Sequence, residues 1–468
     1  MDLAPRSLTP LLAAPALLAA LGSCATYAPD PLVPADELAR LKSASVASLR
    51  LDEAAPRDAG SAPASFDPSD GLDEAELVAV ALTLNPALRA KRLEIGESRA
   101  LLLGAGLWPN PELGLAVRPG IDGAPSTGIA ADLLFELMRP GERGACTSLA
   151  EARLASVRAR VAADEYAVAA EVRRERVALL AAERTLALHE QESALRDQAL
   201  DLVRRRQELG EARALDVLLV DLERVEAQRA LRSARADRDR LQRELVATLG
   251  LPPNAPIRLK ESGQPLAFAV GADVSDESLD ALVVARRLDL RSLEASYLAS
   301  EEALRLAVAR QFPRVALGPS FEQDAEGTRA LGLGLSVELP LFSRHQAEIA
   351  EKEAARERAR AEYAAGLHQA RARAFEARES VRRLRGEVET LRRDVEPIVD
   401  RAESQFEAAF RARELTVVEW LAARSRALAA RRELLRALVD YAAACAELDA
   451  ALGAPFTSPP LRDGRSEP

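Results

Sequence analysis

The chain contains one pattern twice. Displaced by 202 residues, Asn85-Pro86-Ala87-Leu88-Arg89 falls on Arg287-Leu288-Asp289-Leu290-Arg291, Pro111 on Pro313, Leu115 on Leu317, Glu136 on Glu338 and Leu137 on Leu339. One added residue makes the shift 203, and Glu211 then meets Glu414, Asp216 meets Glu419, and Leu249-Gly250 meets Leu452-Gly453. A register kept from residue 85 to residue 250 exceeds what shared composition sustains, so the chain is a duplication. Whatever one copy builds, the other builds again.

Each copy reads in the same order. The spacing predicts a short helix over 73–84, and Pro86 opens a second helix to about residue 107. The apolar period then changes to two. In 111–117, Leu113, Leu115 and Val117 alternate with Glu112, Gly114 and Ala116; in 129–138, Ile129, Ala131, Leu133, Phe135 and Leu137 alternate with Ala130, Asp132, Leu134 and Glu136. Copy two has Val315 and Leu317, then Leu331, Leu333, Leu335, Val337 and Leu339 against Gly332, Gly334, Ser336 and Glu338. Alternation of this length marks strands with one apolar and one polar face.

Behind each strand pair lies a helical stretch, 145–208 and 346–411, which at 1.5 Å per residue reaches roughly 95 Å. Val157, Val161, Val168, Val172 and Leu179 form a coiled-coil-like seam, and Leu384, Val388, Leu391, Val395 and Val399 repeat it. The first stretch breaks at Leu209-Gly210 and a return helix runs to Leu249, so 86–107 and 214–249 have the combined length to stack end to end beside it.

Composition narrows the function. A net charge of −10 with no basic block argues against nucleic acid as partner. Three Cys and three His leave no disulfide framework and too few soft ligands for a zinc site. The absence of a phosphate loop, HExxH or GxSxG points away from an enzyme and from any cofactor. Aromatics at 4% suit long helices with narrow seams better than one large core.

The first residues read as an address. An apolar run from Leu11 to Leu21 is too short to span a membrane and reads as a signal peptide over 1–23. Leu21-Gly22-Ser23-Cys24 resembles the lipobox of bacterial lipoproteins, with Cys24 the lipidated residue; a chance Cys behind an ordinary signal is the alternative. Residues 24–71 read as a tether. The copies are bounded as 72–251 and 274–455, with a linker at 252–273 and a polar tail at 456–468.

Four one-face-apolar strands are too few to close a barrel, and an open sheet is not stable in lipid. The chain must therefore associate so that several copies complete one barrel, with the helices continuing it as a tube. At this point Asn85-Pro86-Ala87-Leu88, the Trp108-Pro109-Asn110-Pro111-Glu112-Leu113 lead into the first strand, Glu338-Leu339-Pro340-Leu341-Phe342 after the fourth, and the two Leu-Gly endings resemble the TolC-like outer membrane efflux family. The resemblance covers about residues 72–455. It implies a mainly helical fold with a membrane β-part: a homotrimer with a twelve-stranded barrel in the outer membrane and a periplasmic tunnel of long helical hairpins. The chain would be the exit duct of a tripartite pump, a passive gated channel for small molecules or metal ions. Its partners would be outer membrane lipids, a periplasmic adaptor and an inner-membrane pump of the resistance–nodulation–division (RND) type. Pro109-Asn110-Pro111-Glu112-Leu113 and Met138-Arg139-Pro140-Gly141-Glu142-Arg143 look most like the heavy-metal, CzcC-like subgroup. The other readings are a type I secretion channel or a periplasmic coiled-coil adaptor, the latter disfavoured by the duplicated strand pairs.

Leu209, Gly210 and Asp216 resemble the family's adaptor-docking tip, matched in copy two by Arg413 and Glu419; an ordinary turn with a capping acid is the plainer reading. Asp197 and Asp400 are repeat mates that would ring a closed periplasmic entrance, or simply face solvent. Pro397, whose mate is Ala194, should kink its helix as a hinge or as a passive bend. Asp132, Glu136 and Glu338 are expected to face the lumen. Phe135, Phe312, Phe321, Phe342 and Trp108 sit at strand ends as interfacial anchors, and Cys146 and Cys445 read as core fillers.

Overall fold

The computed structural model describes residues 27–46, 70–119, 127–260, 275–324, 326–412 and 414–453. The signal segment, Cys24, Arg413 and the tail lie outside them. The chain divides into two units after Ser43. The first contains helix α1 (Pro34–Ser43), with Asp36 and Glu37 in its first turn and Arg40 and Lys42 in its last, the order that its dipole favours.

The second unit holds both copies. Copy one comprises α2 (Glu74–Leu84), α3 (Pro86–Ala105), β1 (Glu112–Pro119), β2 (Thr127–Leu137), α4 (Glu142–Glu208) and α5 (Ala214–Thr248). Copy two comprises α6 (Asp276–Arg286), α7 (Leu288–Ala309), β3 (Val315–Gln323), β4 (Arg329–Val337), α8 (Gln346–Thr390), α9 (Glu396–Arg411) and α10 (Val417–Leu452). The strands form one antiparallel sheet in the order β1-β2-β3-β4. The helices form one layer in the matching order. Near the sheet it runs α3–α4–α7–α8; farther away it runs α5–α4–α10, with α8 and α9 beyond. As their lengths foretold, α3 and α5 lie end to end beside α4: Arg92 of α3 pairs with Glu165 at 2.7 Å, while Thr248 at the end of α5 meets Glu175 at 2.8 Å.

The seams bury as their periods require. Val168, Val172 and Leu179 join Leu77, Leu88, Leu245 and Leu249 in one core, and Val381 joins Leu279, Leu290, Leu448 and Leu452, with Cys445, in its counterpart. Both cores lie where a short helix meets the end of a return helix, and both use a left-handed glycine there. Gly250 has φ 76° and Gly453 has φ 80°, and a Cβ would sit 2.5 Å from the Leu84 carbonyl oxygen or 2.9 Å from Arg287 Cα. The junction is clamped by different chemistry in each copy. Asn85 caps α3 and donates from Nδ2 to the Thr248 carbonyl at 2.9 Å; its mate Arg287 donates to the Ala451 carbonyl at 2.8 Å. Part of the linker is built into copy one, because Ala255, Ile257 and Leu259 pack on its core and Leu259 bridges to Leu72.

One element departs from the repeat. The second long helix is interrupted by a π-helical turn at Leu391–Val395, while α4 runs unbroken over its 67 residues. Pro397 is the cause. It has no N–H for the Arg393 carbonyl and its ring crowds that oxygen, so the preceding turn widens and the Glu396 N–H reaches back to Leu391 O.

Candidate functional site

The sheet puts every odd-numbered apolar side chain on one face. Leu113 stands across from Leu133, Phe135 from Leu317, and Phe321 from Leu331. That face is bare: Leu331, Leu333 and Leu335 are 86%, 73% and 65% exposed, with Leu115 at 71%. The opposite face carries Asp132 and Glu136 on β2 and the glycines of β4, with Glu338 just beyond the last strand. Arg314 lies 3.8 Å from both Glu136 and Glu338. β1 and β4 each offer an unpaired edge.

Below the strands the two copies are tied by charge. Arg139, 6% exposed, donates to the Phe312 carbonyl at 2.6 Å, pairs with Glu142 at 3.2 Å and lies 3.8 Å from Glu338. Glu142 also meets Arg310, which reaches Glu348. Burial works to raise the Glu142 pKa, but hydrogen bonds from the Arg139 N–H and guanidinium and from Arg310 outweigh it, leaving the carboxyl below its ordinary value. The sequence reading quoted Arg139 only within a motif; an arginine directly ahead of a helix-opening Pro-Gly was its one signal.

At the far end the two hairpin turns close with the same backbone bond. Gly210 has φ 77° and the Glu211 N–H closes on Arg206 O at 2.8 Å; the Glu414 N–H closes on Ala409 O at 2.9 Å. Each return helix opens with a capping box, Asp216 accepting from the Arg213 N–H and Glu419 from the Thr416 N–H, both at 2.9 Å. Those backbone bonds are the first cause that lowers the pKa of both acids. Leu209 at the first turn is 74% exposed.

Asp197 and Asp400 are both exposed and each faces an arginine of its return helix, Arg224 at 3.8 Å and Arg431 at 3.3 Å. Pro397 stands just past the π-turn, beside Ile398, which is 58% exposed. Trp108 and Phe342 are exposed at the base of the sheet, with Arg143 over the Trp108 ring. Among the described residues no His, Cys, Asp and Glu group has metal-binding geometry. No described helix is long and apolar enough to cross a membrane.

A clamp that the sequence reading missed joins the hairpins. Arg196 of α4, 7% exposed, donates to Glu223 of α5 at 2.6 Å and to the Ser425 hydroxyl of α10, and Arg432 of α10 donates to Glu192 of α4. Around it Leu195, Ala199, Leu200 and Val203 pack with Trp420, Leu421 and Leu428. Its signal was a charged residue set inside an apolar seam. Burial first, then the Arg432 charge, hold His189 below its ordinary pKa beside this clamp.

Residues 281–454 match the family described as outer membrane efflux protein. No curated protein sequence matches the chain. Among solved structures, the chain is similar to a membrane protein from Pseudomonas aeruginosa (TM-score 0.68, 22% identity, 86% of this chain and 100% of that one). It is also similar to the outer membrane protein VceC from Vibrio cholerae (0.65, 17%, 82% and 96%) and to CusC, solved for conformational changes that accompany folding and transmembrane channel formation (0.65, 17%, 92% and 100%).

Proposed function

We propose that this chain, whose residues 281–454 match the outer membrane efflux protein family, is the trimeric, gated outer membrane exit duct of a tripartite pump. One observation carries the reading: sheet and helical layer are open on the same two sides. On one side stand β1, α3 and α5; on the other stand β4, α8 and α9. A rotation that brings the first side of one copy to the second side of the next satisfies the strand edges and covers the helix edges together, and such a head-to-tail contact closes as a ring. Three copies give twelve strands, enough to close. The bare apolar face then meets lipid, and Asp132, Glu136, Arg314 and Glu338 line water.

In this reading the duct does no chemistry; its wall supplies a polar path and an adaptor and an RND-type inner-membrane pump supply direction. Lipidation at Cys24 would anchor it. The matched turns at Leu209–Gly210 and before Thr416, with Asp216, Glu419 and Arg413, would meet the adaptor. Asp197 and Asp400 would ring the entrance, and the π-turn at Pro397 would let α9 swing. The cargo is a small molecule or metal ion, with the Pro109–Leu113 segment favouring divalent metals.

The native mass of the detergent-extracted protein from separated membranes tests this reading. About three chain masses in the outer membrane fraction is the expected result; a soluble monomer or dimer refutes the shared barrel. Cys24→Ala should abolish palmitate labelling, and deletion of the gene should lower divalent-metal tolerance.

A further inference from the structure

The duplication specifies more than the number of strands. Within the chain, α10 packs along α4, and its Leu421 and Leu428 share one buried cluster with Val220 of α5. On α10, Leu421, Ser425, Leu428 and Arg432 share one helix face, and contacts of Ser425 and Arg432 with Arg196 and Glu192 turn that face toward α4. On α4 the receiving residues are Glu192, Arg196, Ala199 and Val203.

The 203-residue shift carries the α10 face to an exposed stripe and the α4 face to the wall of an open groove. The mates of Leu421, Ser425, Leu428 and Arg432 are Leu218, Leu222, Val225 and Arg229 of α5. Leu218, Leu222 and Val225 are 66%, 57% and 48% exposed, although Leu421 and Leu428 are buried. The mates of the receiving residues are Val395, Val399, Ala402 and Phe406. Val399, Ala402 and Phe406 line a groove of about 460 Å³ between α9 and α10, together with Ile398, Ala423 and Arg426. An apolar stripe and an apolar groove thus stand on opposite edges of one chain, each the repeat mate of a surface already in contact inside it.

We propose that the Leu218–Leu222–Val225 stripe of one copy seats in the Val399–Ala402–Phe406 groove of the next, so that the seam between copies repeats the internal α4–α10 contact. This rests on the trimeric duct reading and specifies its interface. The occupant is a second copy because the groove's pseudo-equivalent within the chain is filled by the stripe's pseudo-equivalent. The seam differs from its template in chemistry. Three of the four charged members of the internal clamp are changed in the mates that would replace them, Arg196 to Val399, Glu192 to Val395 and Glu223 to Arg426, while Arg432 stays an arginine as Arg229 and loses its carboxylate partner. Ser425 likewise becomes Leu222. The internal contact is pinned by hydrogen bonds of fixed geometry, whereas the seam is held by non-directional burial and tolerates sliding.

The test is cysteine pairing in membranes, with Cys146 and Cys445 replaced by alanine. Leu218→Cys with Ala402→Cys should give disulfide-linked dimers and trimers on mild oxidation. Leu421→Cys with Ala199→Cys, the internal equivalent, should give only an intramolecular bridge. Trimeric native mass without intermolecular linkage of the first pair overturns this seam and leaves the duct standing. A monomeric native mass overturns both. Leu218→Lys with Leu222→Lys supplies the second measurement. Both residues are exposed within the chain, so helical content should hold while the assembly falls to monomers; a trimer that survives both lysines refutes the proposal.

Discussion

The two hairpins began as copies and now do different mechanical work. In the first, α4 runs straight through 67 residues and is pinned on both sides, to α5 by Arg196–Glu223 and to α10 by Arg196–Ser425 and Glu192–Arg432. In the second, the matching positions hold a π-turn and Pro397, and α9 buries only Val399. Its pairs with α10, Arg431–Glu403 at 2.6 Å and Arg424–Glu407 at 3.3 Å, are on the surface and individually weak. Duplication supplies two equal hairpins. Divergence at a few seam positions makes one a post and the other a leaf.

The largest test of that contrast swaps a buried leucine against its exposed mate. Leu421→Ala should lower unfolding stability by about 2–5 kcal/mol, whereas Leu218→Ala should leave the isolated chain within about 0.5 kcal/mol. Equal losses in denaturant titrations would mean that α5 and α10 are not differently placed. Next is the pin itself. Arg196→Met should cost about 1–3 kcal/mol, because it removes charge-assisted bonds but leaves Glu223 half exposed and able to hydrate. Val399→Met, at the mate position, should cost less than Arg196→Met.

Pro397→Ala should restore an ordinary α-turn across 391–395, slow amide exchange there several-fold and leave global stability unchanged or higher. Unaltered exchange would assign the π-turn to packing and not to proline. The smallest effect is acid sensitivity at the base of the sheet. Glu142 has a folded pKa below its unfolded one, so its contribution is full above roughly pH 4.5 and is lost as pH falls through the lower folded value. Glu142→Gln should flatten that part of the stability curve and leave neutral-pH helicity intact.

Much of this was legible in the chain because its signals are local and doubled. Strands with period two, a helix ended by Asn85-Pro86 and return helices closed by Leu-Gly need no distant partner to be read, and each was written twice. Pro397 announced a break, but the form it took, a widened turn and not a simple kink, depended on how neighbouring carbonyls were resatisfied. Arg139, in the link ahead of α4, and Arg196, within it, were illegible because arginine in a loop or on a helix usually faces water; only contacts from residues 173 and 229 positions away make them buried ties.

Sequence alone determined the duplicated order, the apolar face of the sheet and the helix boundaries, because periodicity fixes which residues share a face before any partner is chosen. Tertiary structure decided which of two equivalent faces is covered. Leu421 and Leu218 are interchangeable as letters in a repeat, yet one is 1% exposed and the other 66%. The reason is positional: α10 lies between helices on both sides, while α5 is the last helix of an open layer, and burial is set by neighbours that a periodic sequence does not name.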